Sequence, residues 1–480
     1  MNSDLMTRDL EELHAASMKI LEEVGVQFHH PEVLEIIRKK GILVKEQTAF
    51  FTQEQIMEWI DKAPKNFNLY ARNPRYDMHI GGERVEYAPG YGAPTVSEID
   101  GTKRPALLSD YIKFLKLSHQ CEFFNCNGGV LVQPKDINVL EAGPLMTYAT
   151  ILFSDKCLIG VPSGIGPDGH EMIMEMLGIV FDGKEQLIEK PRIIAIANTT
   201  SPLMFDKLTL DIMLTYGKYG QPVMISPATM AGTTGPVTLA GTIALANAEV
   251  LAGVAVMQMI RNETPVVYGW QTTSADMKSG AIAMGSAERT LIISFGARLA
   301  KLYELPVRGG GTDTDAKCVS VQSGYESMMT LFVTAREKMN LVIHSAGILD
   351  GFNSMSYEQF MVDLEIIAMV ERFNRGVEIN AETLALDVIK QVGPSGEYLT
   401  QEHTCRFCRT EHFSPDISFR GYIEGKPHDI IFNRIRNKID KMLSNYHRPE
   451  LPPSIRQRLF DYLVSRGIDQ TKLMEIEKEA

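Results

Sequence analysis

Residues 305–313 read LPVRGGGTD, a short apolar run that stops abruptly in three glycines and a threonine–aspartate pair. A run of this kind has the form of a buried strand ended by a loop. Six other segments share it: FFNCNGG (123–129), CLIGVPSG (157–164), RIIAIANTT (192–200), PVMISPATM (222–230), PVVYGWQTT (265–273) and LVIHSAGIL (341–349). They lack polar alternation, as parallel strands do when helices cover them. Between them lie stretches that predict helices: Pro167–Phe181, Pro202–Tyr219, Pro236–Arg261, Gly285–Tyr303, Ser323–Met339 and Tyr357–Phe373. Repeated strand–helix units build either a closed barrel or a doubly wound sheet. Polar, aromatic and glycine residues follow nearly every run, which favours the barrel, where all strand ends converge on one face. The expectation is an α/β fold, a TIM-type (β/α)8 barrel. Its eighth strand is open between Glu86–Val96 and Tyr398–His403.

The flanks read differently. Residues 1–106 predict an N-terminal helical segment and small β region, 107–420 the barrel, and 421–480 a helical C-terminal tail. In the first part Gly25 ends one helix, Pro31 starts another, and FTQEQIMEWIDKA (51–63) has Thr52 as N-cap with Gln55 at the capping-box position. From Asn66 to Ala106 the turns NP, GG, PG and DG punctuate short extended pieces. In the tail, NRIRNKIDKMLSNY (433–446) and SIRQRLFDYLVSRG (454–467) are amphipathic.

The 480 residues are 44% hydrophobic and 22% charged, ordinary globular values, with a net charge of −12 that argues against nucleic acid as a partner. The start, MNSDLMTRDLEELHAASM, is acidic where a signal peptide is basic and apolar, so a cytoplasmic protein is expected. Residues 236–260 are apolar enough for a membrane span, but Asn247 and Glu249 interrupt them, and a helix packed on a sheet is expected instead. Glu249 is read as paired, capping a neighbouring loop or strand end from behind, with a counter-charge facing the site as the alternative. Six cysteines without an export signal suggest free thiols. Cys405 and Cys408 form a lone CxxC between His403 and His412, a spacing too poor for zinc, so no metal is expected.

The segment Gly309–Gln322 is the most unusual in the chain. Three glycines let backbone approach a ligand, or simply form a tight turn. No GK[ST] follows them, and Asp313 and Asp315 would repel phosphate. Aromatic residues at strand ends suit a cation that cannot donate a hydrogen bond. Tyr268 and Trp270 end the fifth run, His344 ends the seventh and Phe352 follows it, and Tyr87 and Tyr91 lie in EYAPGYGAP (86–94).

Five elements in order resemble the trimethylamine methyltransferase family. They are ARNP (71–74) followed by GG; YAPGYGAPTVSEIDGTKRPALLSDY (87–111); GPVTLAGTIALANAEVLAG (235–253); LPVRGGGTDTDAKCVSVQSGYES (305–327); and GEYLTQEHTCRFCRTEHFSPDI (396–417). The resemblance implies a TIM-type barrel and no organic cofactor bound by the chain itself. It also implies that the methyl acceptor is the cobamide of a cognate corrinoid protein. Archetypal members carry pyrrolysine, expected near Lys317–Cys318, where this sequence has standard residues. That points to members that demethylate quaternary amines, glycine betaine first, then carnitine, proline betaine and related zwitterions. The sequence leaves a non-catalytic quaternary-amine binding protein open as the competing class, and leaves the oligomeric state open. The residues expected at the site are Asp313 as charge partner of the ammonium, with Tyr91, Tyr268, Trp270, Arg308, Gly310, Gln322, His344 and Phe352 binding substrate. Arg308 is one candidate to hold a betaine carboxylate, and the Gly309–Gly311 amides are another.

Overall fold

The computed structural model describes residues 3–162 and 167–479; Ser163 and Gly164, the end of CLIGVPSG, lie outside the described residues. Eight strands alternate with eight helices. The strands are β1 (Glu86–Tyr87), β2 (Cys126–Gly128), β3 (Cys157–Ile159), β4 (Ile193–Asn198), β5 (Val223–Ser226), β6 (Val266–Gly269), β7 (Val307–Gly310) and β8 (Leu341–Ile343). The helices that follow them are α1 (Leu108–Gln120), α2 (Ala142–Phe153), α3 (Pro167–Val180), α4 (Lys207–Lys218), α5 (Leu239–Ile260), α6 (Ala287–Leu302), α7 (Val321–Arg336) and α8 (Tyr357–Asn374). Each strand pairs in parallel with its neighbour from β2 through β8, and β8 pairs in parallel with β1. A parallel bridge from Tyr87 to Phe124, just ahead of β2, brings the two edges together. The fold is a TIM-type barrel.

All seven apolar runs become barrel strands. The eighth comes from the earlier of the two alternatives, at Glu86–Tyr87, whereas Glu402–Phe407 is helical and exposed. The barrel therefore begins upstream of residue 107, inside the segment expected to be an addition. A two-residue strand in a turn-rich region has no periodicity to announce it.

The alternation of side chains across each strand sorts inside from outside. Along β6 and the next residue, Val266, Tyr268 and Trp270 pack toward the helices, and Val267 packs into the lumen. The lower lumen is filled by Cys126, Cys157, Ile194, Met224, Leu341 and Ile343. An antiparallel hairpin, Asn66–Leu69 with Met78–Gly81, adds Phe67, Leu69, Met78 and Ile80 to the same cluster. Its flanks are tied to the N-terminal ends of β4 and β3: Tyr70 N–H donates to the Pro191 carbonyl at 2.8 Å and Asn73 N–H to that of Asp155 at 3.0 Å. The hairpin is the plug of the barrel.

Helix α5 is, among the described residues, the one helix long and apolar enough to cross a membrane, and it is buried. Helices Ser3–Lys19 and Gln53–Ile60 cover it on the side away from the barrel. The second of these carries the capping box of Thr52 and Gln55. The two polar residues that interrupt α5 are matched: Asn247 Nδ2 donates to Ser17 Oγ and to the Tyr303 hydroxyl, both at 2.9 Å. Glu249 accepts from Ser201 Oγ at 2.7 Å and Leu203 N–H at 2.8 Å, and so caps the loop after β4. Burial raises the Glu249 carboxyl above its ordinary value. The tail helices Pro427–Ser444, Pro453–Ser465 and Gln470–Glu479 return along α8, α1, α3 and α2.

The triple glycine is a packing requirement. A Cβ on Gly309 would lie 1.9 Å from Met339 Sδ, and on Gly310 2.1 Å from Asp313 Oδ2. On Gly311 it would lie 2.6 Å from the His344 carbonyl, which is backbone and cannot turn aside. Gly324 in α7 has nothing within 4 Å. Urea unfolding should separate the two cases. Gly311→Ala is expected to destabilise by about 1–3 kcal/mol, whereas Gly324→Ala should be neutral or stabilise by up to about 1 kcal/mol.

Candidate functional site

At the C-terminal end of the strands the lumen turns polar. Arg308 points inward from β7 and is 2% exposed; its Nη1 donates to Ser226 Oγ, at the end of β5, at 2.9 Å. Arg308 has no carboxylate within ion-pair distance among the described residues, whereas Arg289 pairs with Asp313 at 3.2 Å. Burial, with the Arg289 charge adding to it, pushes the Arg308 guanidinium down to about 10.

Arg289 enters from the first turn of α6, where Ser286 is the N-cap. It donates to the Thr272 carbonyl, to Gln271 Oε1 at 3.4 Å and to Asp313 Oδ2 at 3.2 Å. Both members of the pair are fully buried. Burial pushes the Asp313 carboxyl above its ordinary value, and the Arg289 guanidinium beside it opposes that rise. The absence of a side chain at Gly310 is what lets Asp313 and Arg289 meet there.

His344 follows β8 at φ 66, a left-handed conformation uncommon outside glycine, which breaks the strand's alternation. Its ring stacks on Phe352 at 4.2 Å and meets Tyr91 edge-on at 6.3 Å. Burial and the charges of Arg308 and Arg289 hold the imidazole well below its ordinary value, so it is neutral. Tyr91 donates to the Gly160 carbonyl at 3.4 Å, and a Cβ on Gly160 would lie 2.3 Å from the Tyr216 hydroxyl. Among the described residues, Arg308 Nε, Asp313 Oδ1, His344 Nδ1, Gln271 Nε2 and the Tyr216 hydroxyl have no hydrogen-bond partner. Buried polar groups of this kind usually have one.

Of the expected site residues, Tyr91, Arg308, Gly310, Asp313, His344 and Phe352 come together here. Three do not. Trp270 is fully buried on the outer side of β6: its Nε1 donates to the Ile292 carbonyl at 2.7 Å, and its ring stacks on Tyr268 at 5.5 Å. The Tyr268 hydroxyl donates to Asn247 Oδ1 at 2.7 Å, also outside the barrel. Gln322 is exposed at the start of α7 and donates to Glu326 at 2.9 Å. The parity of β6 decides against the aromatic pair, because residues 266, 268 and 270 share the helix-facing side. Asp313 also differs from expectation, since its carboxylate is already matched by an arginine. Arg289, Gln271 and Tyr216 were missed. An arginine opening a helix reads as solvent-exposed, and nothing in the sequence shows that this one turns inward.

Lys317 is exposed and paired with Asp350, away from the lumen. Cys405 and Cys408 are exposed, and Cys408 Sγ donates to the Cys405 carbonyl at 3.5 Å. A groove of about 780 Å³, lined in part by Phe123, Lys338, Arg372, Arg409 and Phe413, lies beside the N-terminal ends of β1, β2 and β8. It touches none of the polar groups of the lumen.

The sequence matches the family described as trimethylamine methyltransferase (MTTB) over residues 2–470. The chain belongs to the trimethylamine methyltransferase family. Glycine betaine methyltransferase of Desulfitobacterium hafniense (strain Y51) is 39% identical over 467 residues, covering 97% of each chain. Proline betaine:corrinoid methyltransferase of Eubacterium limosum is 31% identical over 472 residues, covering 95% of this chain and 96% of that one. The crystal structure of the Methanosarcina barkeri monomethylamine methyltransferase superposes with a TM-score of 0.52 at 12% identity, covering 91% of this chain and 94% of that one. That likeness shows the fold alone.

Two measurements on this trimethylamine methyltransferase family member check the placement. Trp270→Ala should lose about 3–5 kcal/mol of stability, while the folded variant keeps its substrate affinity. The second concerns histidine. His344 is held well below its ordinary value, and His119 and His170 are each pushed down to about 4, chiefly by burial. Their contribution is complete above the ordinary histidine value and is lost as pH falls, because the unfolded chain takes up protons that the folded chain refuses. The loss is up to about 1.4 kcal/mol per pH unit for each group. Unfolding at pH 7 and pH 5 should show a smaller drop in His344→Asn, whose side chain tolerates the left-handed backbone.

Proposed function

We propose that the chain moves a methyl group from a quaternary amine, glycine betaine first, to the cobalt(I) of a cognate corrinoid protein, leaving dimethylglycine. The observation that carries this reading is Arg308. A buried guanidinium with one hydroxyl partner and no carboxylate is costly unless an anion joins it. A betaine carboxylate supplies that anion in bidentate form. Trimethylamine does not.

With the carboxylate on Arg308, the ammonium lies toward the rings of Tyr91, Phe352 and neutral His344. Ring faces attract a methylated cation without needing an N–H. Asp313 serves as a positioning residue: it fixes Arg289 beside Arg308. Cobalt(I) supplies the nucleophile, and the C–N electron pair leaves with nitrogen as a neutral tertiary amine, so no acid or base is required. The protein's contribution is alignment and exclusion of water from the ammonium. A cage that bound the cation too well would favour the ground state, since the charge disappears as the bond breaks. Proline betaine is the second reading, supported by the name of the Eubacterium limosum relative and by the same carboxylate-bearing ammonium.

Mixing the protein with a reduced cobamide and each amine tests this by absorbance. Methylcobamide and dimethylglycine should form from glycine betaine and not from trimethylamine; transfer from trimethylamine with none from any betaine overturns it. Arg308→Gln should raise KM for betaine at least about tenfold, equivalent to ~1.4 kcal/mol, without abolishing folding. Asp313→Asn should lower kcat by about the same factor.

A further inference from the structure

Three residues on neighbouring strands stand in one row across the inner wall of the barrel. Ile225 pairs with Tyr268 and Gly269 with Arg308, so Ser226, Gly269 and Arg308 follow one another from β5 to β7. Arg308 Nη1 reaches Ser226 Oγ at 2.9 Å, two strands away. The guanidinium therefore lies across β6, over a residue that has no side chain. Gly269 has to be glycine, because a Cβ there would lie 2.4 Å from the Ile225 carbonyl and 2.8 Å from Ser226 Cα. Asn198 of β4 is in register with Ser226 and is exposed, so a small ligand can reach the row from solvent.

Gln271 is the next inward-facing residue after Gly269, about 6.7 Å further along the chain direction. Its N–H donates to the Pro227 carbonyl at 3.1 Å, which continues the pairing with β5 beyond the end of β6. The same register sets it opposite Gly310, the bare position where Arg289 and Asp313 meet. Gln271 Oε1 accepts from Arg289 Nη2 at 3.4 Å. A guanidinium only donates, so the amide oxygen must face Arg289, and Nε2 is turned away from it. Among the described residues neither Gln271 Nε2 nor Arg308 Nε has an acceptor, and both atoms are buried. Two unmatched buried donors are costly. Asp313 is engaged with Arg289, so the acceptor that suits both is a ligand with two oxygens of its own.

We propose that Gln271 determines the substrate class at this site: its amide and the Arg308 guanidinium each donate to an oxygen of a betaine carboxylate, and Arg289 keeps the amide turned that way. This rests on the betaine reading above. The rival role for Gln271 is structural, holding Arg289 in place.

Gln271→Glu separates the two roles, because it keeps an oxygen for Arg289 and puts an anionic oxygen where the donor stood. Isothermal titration of the full chain with glycine betaine, and with tetramethylammonium as a methylated cation without a carboxylate, reads the difference. Gln271→Glu should raise Kd for glycine betaine at least about a hundredfold. Gln271→Met, which loses the donor without adding charge, should raise it at least about tenfold. Tetramethylammonium should bind Gln271→Glu no more weakly than it binds the wild-type chain, and the melting temperature without ligand should not fall. Unchanged betaine affinity in both variants overturns the inference and leaves the methyl-transfer reading standing. So does a joint loss of betaine and tetramethylammonium affinity with a lowered melting temperature, or a Gln271→Glu chain that fails to fold. A wild-type chain that binds tetramethylammonium but not glycine betaine removes the betaine reading, and this inference with it.

Discussion

Closing the barrel is the constraint from which the rest of this structure follows. Seven strands joined in parallel leave β2 and β8 with unpaired backbone groups at opposite edges, and a two-residue strand fills the gap. So short a strand cannot hold itself in place. It is delivered by the hairpin of Asn66–Leu69 and Met78–Gly81, which is wedged under the lumen by apolar side chains and tied to the ends of β3 and β4. Continuing upward from β1, the chain donates from Gly90 N–H to the Ala346 carbonyl and accepts from His344 N–H on Pro89. Tyr91 is thereby set against His344. The plug, the closure and one wall of the candidate site are a single piece of chain.

Charge arrangement inside that closed wall follows from burial. Arg289 and Asp313 are both removed from water, and each is tolerable only beside the other. Three glycines make the approach possible, and each faces a different neighbour: Met339 outside, the ion pair within, and the backbone of His344 at the next strand. With that pair satisfied, Arg308 is left without a carboxylate among the described residues, and a neutral His344 adds no charge to it. Such a lumen suits a ligand that brings its own negative charge and its own methylated cation.

The outer layer is held by a different chemistry. Tyr268, Trp270 and Asn247 form a packed and hydrogen-bonded seam between β6, α5 and α6, with Tyr303 and Ser17 extending it to the N-terminal helix. Aromatic residues placed one after another at a strand end serve packing there. The exposed segment 376–408, after α8, stands apart from both layers. Its apolar side chains are about half or more exposed, and its base is tied by Arg372 to the Glu411 carbonyl.

The apolar runs and the helical stretches between them were readable because burial between helices imposes continuous hydrophobicity and a regular spacing. Seven of eight strands, the capping box at Thr52, the covered helix α5 and the family resemblance all came from local or ordered patterns in the chain. Arg308, Asp313, His344 and Phe352 could be named because they lie at or after the ends of legible strands, which a barrel brings to one face, and Tyr91 because it stands in the EYAPGYGAP loop. Which way a side chain points could not be read. Trp270 and Gln271 are adjacent, yet one packs against α6 and the other meets Arg289 inside, and only the strand's register separates them. The eighth strand, the inward turn of Arg289 and the matching of Asp313 depend on contacts between residues far apart in sequence. The fold's periodicity was therefore legible in the chain, whereas the charge balance of the site was decided by tertiary packing, because pairing energies depend on distance and burial.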